Sequence, residues 1–203
     1  MTLDRQQIKQ NAKDALKANY WPMIGYFVLN MVICAVCGGL SSLYVGLILT
    51  ILVVPVVAVS FCYLTYKVYR NEEHSVSGLF DGFQNFGHVL GGYWWMYLFI
   101  LLWSMLFYIP GIVKAIAYSM TPYILMDQPE VGAKEALKLS MEMTKGHKME
   151  IFVMYLSFIG WAIVSAITLN IAGIFYVYPY MQLTMAGYYD ELKKQQNPVT
   201  YTA

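Results

Sequence analysis

The chain has 203 residues, of which 59% are apolar, 16% aromatic and 12% charged, with a mean hydropathy of +0.50 and a net charge of +1. A soluble domain carries about 25% charged residues, so this composition excludes an ordinary water-facing surface, and the near-neutral balance excludes an electrostatic footprint for nucleic acid. The three cysteines lie in apolar stretches and exclude a disulfide scaffold.

The first nineteen residues are polar and mixed in charge, unlike the short apolar core of a signal peptide. Within them Ile8, Ala12, Ala15 and Leu16 share one helical face, opposite Lys9, Lys13 and Lys17, which predicts an amphipathic helix near 4–18. Between Lys17 and Lys67 lie 49 residues without a charge. A membrane helix needs about 20 residues at about 1.5 Å each to cross a core of about 30 Å. This run therefore predicts two spans, near 20–40 and 46–68, the first entered by Tyr20-Trp21-Pro22-Met23. Cys34 and Cys37 fall one turn apart inside the first span, where they read as small side chains at a helix contact.

A second approach helix is predicted near 76–90, because Val76, Leu79, Phe80, Phe83 and Phe86 recur at spacings of three and four. Gly78 with Gly82, and Gly87 with Gly91, read as close-approach surfaces. Asp81 and Lys114 are separated by 32 uncharged residues, and Lys114 and Asp127 by 12, which places spans near 91–109 and 110–127. A third approach helix is predicted near 132–147, with Ala136, Leu139, Ser140 and Met143 opposite Lys134, Lys138 and Lys145, and with Gly146 ending it. The 39 uncharged residues between Glu150 and Asp190 make the last two spans, near 149–168 and 171–190. The expected fold is all-α: one membrane domain over residues 1–203, an integral bundle of six transmembrane helices in three hairpins, each hairpin preceded by a cytoplasmic amphipathic helix. Such stripes suit helices lying in the headgroup layer, or else ordinary helices packed beneath the bundle.

An even span count puts both termini on one side. The turns within the pairs (38–42, 108–111 and 168–170) carry no charge, whereas the opposite side holds every basic residue except Lys114. The positive-inside rule makes that side of a multi-pass membrane protein cytoplasmic. Lys145 and Lys148 are then expected at headgroup level.

The residues offer little for catalysis. No Asp or Glu lies inside a predicted span, no phosphate-binding loop is present, and His74, His88 and His147 lack metal-ligand spacing. The expectation is a protein that is not an enzyme and holds neither metal nor cofactor. Lys114 is the one ionisable residue inside an apolar run. It either snorkels to the outer headgroups or holds an anion between helices. Pro110, Gly111 and Pro122 interrupt its helix, as Pro179 does the last span, and interrupted helices expose backbone that lines cavities. Tyr118, Ser119, Thr121, Gln182 and Thr184 are the polar residues placed to complete such a ligand site, with interhelical hydrogen bonding as their other reading.

From Ile109 to Tyr189 the sequence resembles a known family. The residues carrying the likeness are Ile109-Pro110-Gly111-Ile112 with Lys114, Tyr118-Ser119-Met120, Pro122-Tyr123-Ile124-Leu125 with Asp127, Glu135-Ala136-Leu137, Ser140-Met141, Lys145-Gly146-His147-Lys148, Leu156 to Trp161, Pro179-Tyr180 and Thr184. They resemble the bacterial polytopic membrane proteins grouped as domain of unknown function 975, common in Gram-positive genomes. Thr144, where the pattern favours Met, and Gly187, within the last aromatic run, depart from it. The resemblance implies a bacterial plasma-membrane protein, distantly similar to the membrane part of some glycerophosphodiester phosphodiesterases. It supplies no catalytic residues.

Two functions fit these features: a module that binds lipid, an amphipathic peptide or a partner membrane protein, and alternatively a transporter or a membrane subunit of an exporter for a small or amphipathic solute. The expected partners are membrane lipids, another membrane protein or a transport ATPase, and not nucleic acid.

Overall fold

The structure is a computed structural model that describes residues 3–40, 44–106 and 108–196. Helix α1 (Arg5–Ala18) starts at Asp4, whose carboxylate accepts the amides of Gln6 (3.0 Å) and Gln7 (3.1 Å), so two donors left free by the first turn are satisfied. Only Asn19 separates it from α2 (Tyr20–Gly39), which is followed by α3 (Tyr44–Tyr69) and a 3₁₀ segment (Val76–Phe83). Next come α4 (Phe86–Leu106), α5 (Tyr108–Ala117), α6 (Thr121–Asp127) and α7 (Ala133–Met143). The chain ends in α8 (Lys148–Ser157), α9 (Ile159–Ile167), a π turn (Gly173–Val177) and α10 (Tyr178–Gln196).

Among the described residues, five helical stretches are long and apolar enough to cross a membrane: Tyr20–Gly39, Gly46–Tyr69, Phe86–Met105, Ile109–Asp127 and Lys148–Ile167. They correspond to the first five expected spans. The fourth joins α5 to α6 and the fifth joins α8 to α9, each across a short break. The expected sixth span, 171–190, is built as the π turn running into α10. The chain turns into it through Leu169 (φ 50°) and Asn170 (φ 68°), both left-handed, in the expected 168–170 turn. Helix α10 buries Leu183, Ala186, Tyr188 and Tyr189 completely. It packs against α1 and α3, so its polar residues are shielded by protein rather than by a uniformly apolar surface of its own.

The apolar stripes of α1 and α7 face inward. Ile8, Ala12, Ala15 and Leu16 of α1 are buried, as are Ala136, Leu137, Ser140 and Met143 of α7. This corrects the headgroup-layer reading for those faces: the stripes are covered by neighbouring helices. The second approach element is also corrected. It is a 3₁₀ segment, and residues 86–90 belong to the start of α4. Gly78 and Gly82 there press on α3, with the Gly82 amide donating to Ser60 Oγ at 2.9 Å, while Gly87 and Gly91 meet nothing within 4 Å.

The departure at Gly187 has a packing reason. A Cβ there would stand 2.8 Å from the Tyr69 ring and 2.9 Å from Ile8, so glycine lets α10 meet α1 and α3 at once. The expected turn glycine, Gly146, has φ 92° between α7, which ends at Met143, and α8.

Ion pairs tie the charged end of α10 to its neighbours. Lys193 Nζ lies 2.6 Å from Asp127 Oδ2, which also accepts the Tyr189 hydroxyl at 2.8 Å. Asp190 meets Lys194 at 2.7 Å and Arg70 at 3.4 Å, and Arg70 pairs with Glu72 at 2.7 Å. The two carboxylates at the centre of these pairs, Asp127 and Asp190, are only 11% and 6% exposed, and charges buried that far persist only when paired and hydrogen-bonded.

A candidate binding cavity at the α5–α6 break

The helix carrying Lys114 breaks at Tyr118-Ser119-Met120. Pro122 lacks an N–H and disfavours helical backbone at the residue before it, so a new helix starts there at little cost. The break leaves the Ala117 carbonyl and the Met120 amide without partners on their own helix. Helix α7 supplies them: Ser140 Oγ donates to the Ala117 carbonyl at 2.8 Å and accepts the Met120 amide at 3.2 Å, and Thr144 Oγ1 reaches the same carbonyl at 3.3 Å. Thr144 thus places a hydroxyl on the broken backbone, where methionine has no donor.

A cavity of about 380 Å³ opens beside the break. Tyr118, Ser119 and Pro122 form one wall, Met96, Tyr97 and Ile100 of α4 another, and Tyr155 of α8 with Met181, Gln182 and Met185 of α10 close it. Its volume lies within the range of about 300–1,000 Å³ typical of ligand pockets, and its lining is apolar and aromatic with a few polar groups.

The expected ligand residues are partly gathered here. Tyr118, Ser119 and Gln182 line the cavity. Ser119 Oγ also donates to the Ile116 carbonyl at 2.8 Å. Thr184 is fully buried and donates to the Tyr180 carbonyl at 2.8 Å. Thr121 is fully buried as well, and its hydroxyl has no partner among the described residues.

Lys114 stands beside the cavity rather than on its lining. Its ammonium lies 5.1 Å from the centre of the Trp103 ring, 5.6 Å from that of Tyr118 and 3.7 Å from Met141 Sδ. Among the described residues no carboxylate pairs with it, so the positive charge rests on two ring faces and a sulfur. The Tyr118 ring connects the two environments, with the cavity at one side and the ammonium near its face.

Pro110 and Gly111 lie within the first turns of α5, and Gly111 lets that helix approach α4, since a Cβ would fall 2.9 Å from the Ser104 Cα. Pro179 occupies the second position of α10, directly after the π turn. Lys145 is exposed between α7 and α8, while Lys148 opens α8, half-buried. Among the described residues no group of three metal-ligating side chains occurs. Tyr97, Tyr155 and Met181 were not foreseen as cavity residues. They reach it from three different helices, and only their aromatic or flexible character marked them beforehand.

Residues 105–196 match the profile of the family described as "Protein of unknown function (DUF975)". That match spans α5 to α10 and supports the resemblance read from the same residues. No curated protein and no solved structure matches the chain.

Proposed function

We propose that the protein is a non-enzymatic, multi-pass membrane module that holds an anionic amphiphile, with an acyl chain in the α5–α6 cavity and the headgroup against Lys114. The observation that carries this reading is a Lys114 ammonium that no carboxylate among the described residues pairs, beside a largely apolar cavity, with Tyr118 common to both. A cation in an apolar run is costly, about 2.5–3.5 kcal/mol at a membrane centre, and an anionic headgroup offsets that cost where no side-chain carboxylate does. Ser119 and Gln182 supply hydrogen-bonding groups for the ester region. The ligand class is an anionic phospholipid of the bacterial plasma membrane. The side bearing the basic residues, with both termini, is cytoplasmic on the positive-inside argument.

The test is native mass spectrometry of the purified full chain in mild detergent, followed by lipid identification and by flux measurements in vesicles. The reading predicts stoichiometric retention of anionic phospholipid, lost in Lys114→Met and partly kept in Lys114→Arg, with no solute movement. Retention unchanged in Lys114→Met overturns it, and solute flux favours a transporter in its place. Labelling of a cysteine at position 170 from outside the cell supports the orientation, and labelling only from the cytoplasm reverses it.

A further inference from the structure

Helix α1 crosses the bundle where the second membrane-length stretch ends. Ile8 and the ring of Tyr69, the last residue of that stretch, meet over Gly187. From Gly46 to Tyr69 are 24 helical residues, about 36 Å at about 1.5 Å each, against a hydrocarbon core of about 30 Å. The contact therefore puts the middle of α1 at the edge of the core and not within it.

The two flanks of α1 differ in charge. Arg5, Lys9, Lys13 and Lys17 recur at every fourth residue, so they drift by only about 120° around the helix and share one flank. Asn11 and Asp14 lie on the other, where they line a polar cavity of about 560 Å³ with Arg70, Asp190 and Lys194. Arg5, Lys13 and Lys17 are exposed. Lys17 lies 3.9 Å from Asp14, and among the described residues no carboxylate pairs with Arg5, Lys9 or Lys13. Burial, and then the charge of Arg5, lower the Lys9 amine from its ordinary 10.5, as expected where cations crowd one another.

The basic flank adjoins an apolar wall. Lys9 donates to Ser157 Oγ, and its ammonium stands 5.0 Å from the centre of the Phe158 ring, at the junction of α8 and α9. Beyond that junction Ile159, Trp161, Ile163 and Ile167 are exposed. At the other end of α1, four residues after Lys17, Trp21 is 77% exposed in the first turn of α2. Tryptophan gathers at headgroup level, and basic residues there are drawn to an anionic leaflet.

The geometry points to the basic flank of α1 as a docking surface for the anionic phospholipid headgroups of the leaflet on its side, with Arg5, Lys13 and Lys17 on the phosphates and Trp21 at the edge of the acyl region. The apolar stripe of α1 stays buried against the bundle, so the lipid meets the cations and not an inserted apolar face. An acidic protein would match the charge, but it leaves Trp21 and the apolar wall of α9 in water, which favours the lipid. The inference uses neither Lys114 nor the α5–α6 cavity.

The test is hydrogen–deuterium exchange of the full chain in nanodiscs, read on peptides covering residues 4–18. One set holds phosphatidylcholine alone and the other adds about 30% phosphatidylglycerol, whose headgroup is anionic. At low salt α1 is expected to exchange at least about fivefold more slowly in the second set, and about 0.5 M salt removes most of that difference. Arg5→Gln, Lys13→Gln and Lys17→Gln together keep the helix propensity and are expected to bring the difference below about twofold, at an unchanged thermal midpoint in detergent. Lys13→Glu alone, at an exposed position, is expected to reduce it by about half. Lys114→Met keeps the whole difference, which separates this surface from the α5–α6 site. Equal exchange in the two nanodiscs, or a difference unchanged in both the triple variant and Lys13→Glu, overturns the inference. Equal protection by inorganic phosphate in detergent makes the flank a site for a soluble anion and also overturns it.

Discussion

The hydroxyl of Ser140 stands 2.8 Å from the carbonyl oxygen of Ala117, twenty-three positions back in the chain. Through the same oxygen it accepts the amide of Met120, so one side chain satisfies the backbone on both sides of the α5–α6 break. Ser140→Ala leaves the Met120 amide unpartnered and the carbonyl with only the longer Thr144 contact. The expected loss is about 1–3 kcal/mol of stability, read as a lower thermal midpoint in detergent. Thr144→Val is expected to lose less, because Ser140 still holds the carbonyl. The reverse order would contradict the role assigned to Ser140.

Asp127 and Lys193 form an ion pair that fastens α10 to α6, at 2.6 Å, with side chains 11% and 20% exposed. Removing one partner strands a poorly hydrated charge. Lys193→Met is expected to cost about 3–5 kcal/mol, moderated by the Tyr189 hydroxyl that remains on Asp127. Asp127→Asn combined with Lys193→Met restores much of the loss, and a denaturation series on the two variants checks the order.

Lys194 makes alkaline stability a readable quantity. Burial works against its charged form, but the hydrogen bonds and charges of Asp190 and Glu191 outweigh it and push the amine from its ordinary 10.5 up to about 12. Because the folded value is raised, the contribution is complete below about pH 10.5 and disappears as pH rises through about 12. Lys194→Met is therefore less stable than the natural chain at pH 9, and the two converge near pH 12. The side chain is 41% exposed, so screening keeps the gap small. Thermal midpoints taken in parallel across that window test the convergence.

Two glycines in helices are expected to respond in opposite ways. Gly187→Val presses a side chain on Tyr69 and Ile8 and is expected to cost about 1–3 kcal/mol. Gly25→Ala meets nothing within 4 Å and is expected to be neutral or stabilising by up to about 1 kcal/mol. Thermal midpoints of the two variants measure both.

Long uncharged runs revealed five of the membrane-length stretches, because charge exclusion acts on each segment independently of its neighbours. The periodic stripes of α1 and α7 located those helices well, yet their orientation was not legible. An apolar face is equally suited to lipid and to a neighbouring helix, and only packing decides between them. Likewise Pro122 marks the break in its helix, whereas Ser140 as its cap depends on α7 folding back over it. Thr144 and Gly187 looked like departures from a pattern until their neighbours were known. The surroundings of Lys114 were the least legible. Trp103 and Met141 come from helices on either side of its own, and no spacing rule joins them.

If the space beside the α5–α6 break holds the acyl chain of an anionic lipid, native mass spectrometry of the purified full chain and of Ala115→Trp, a residue that lines this space, reads it as a count of bound phospholipids. One anionic phospholipid is expected to stay on each natural chain, and none on Ala115→Trp at an unchanged thermal midpoint. Equal phospholipid retention by both proteins would show that the lipid lies elsewhere.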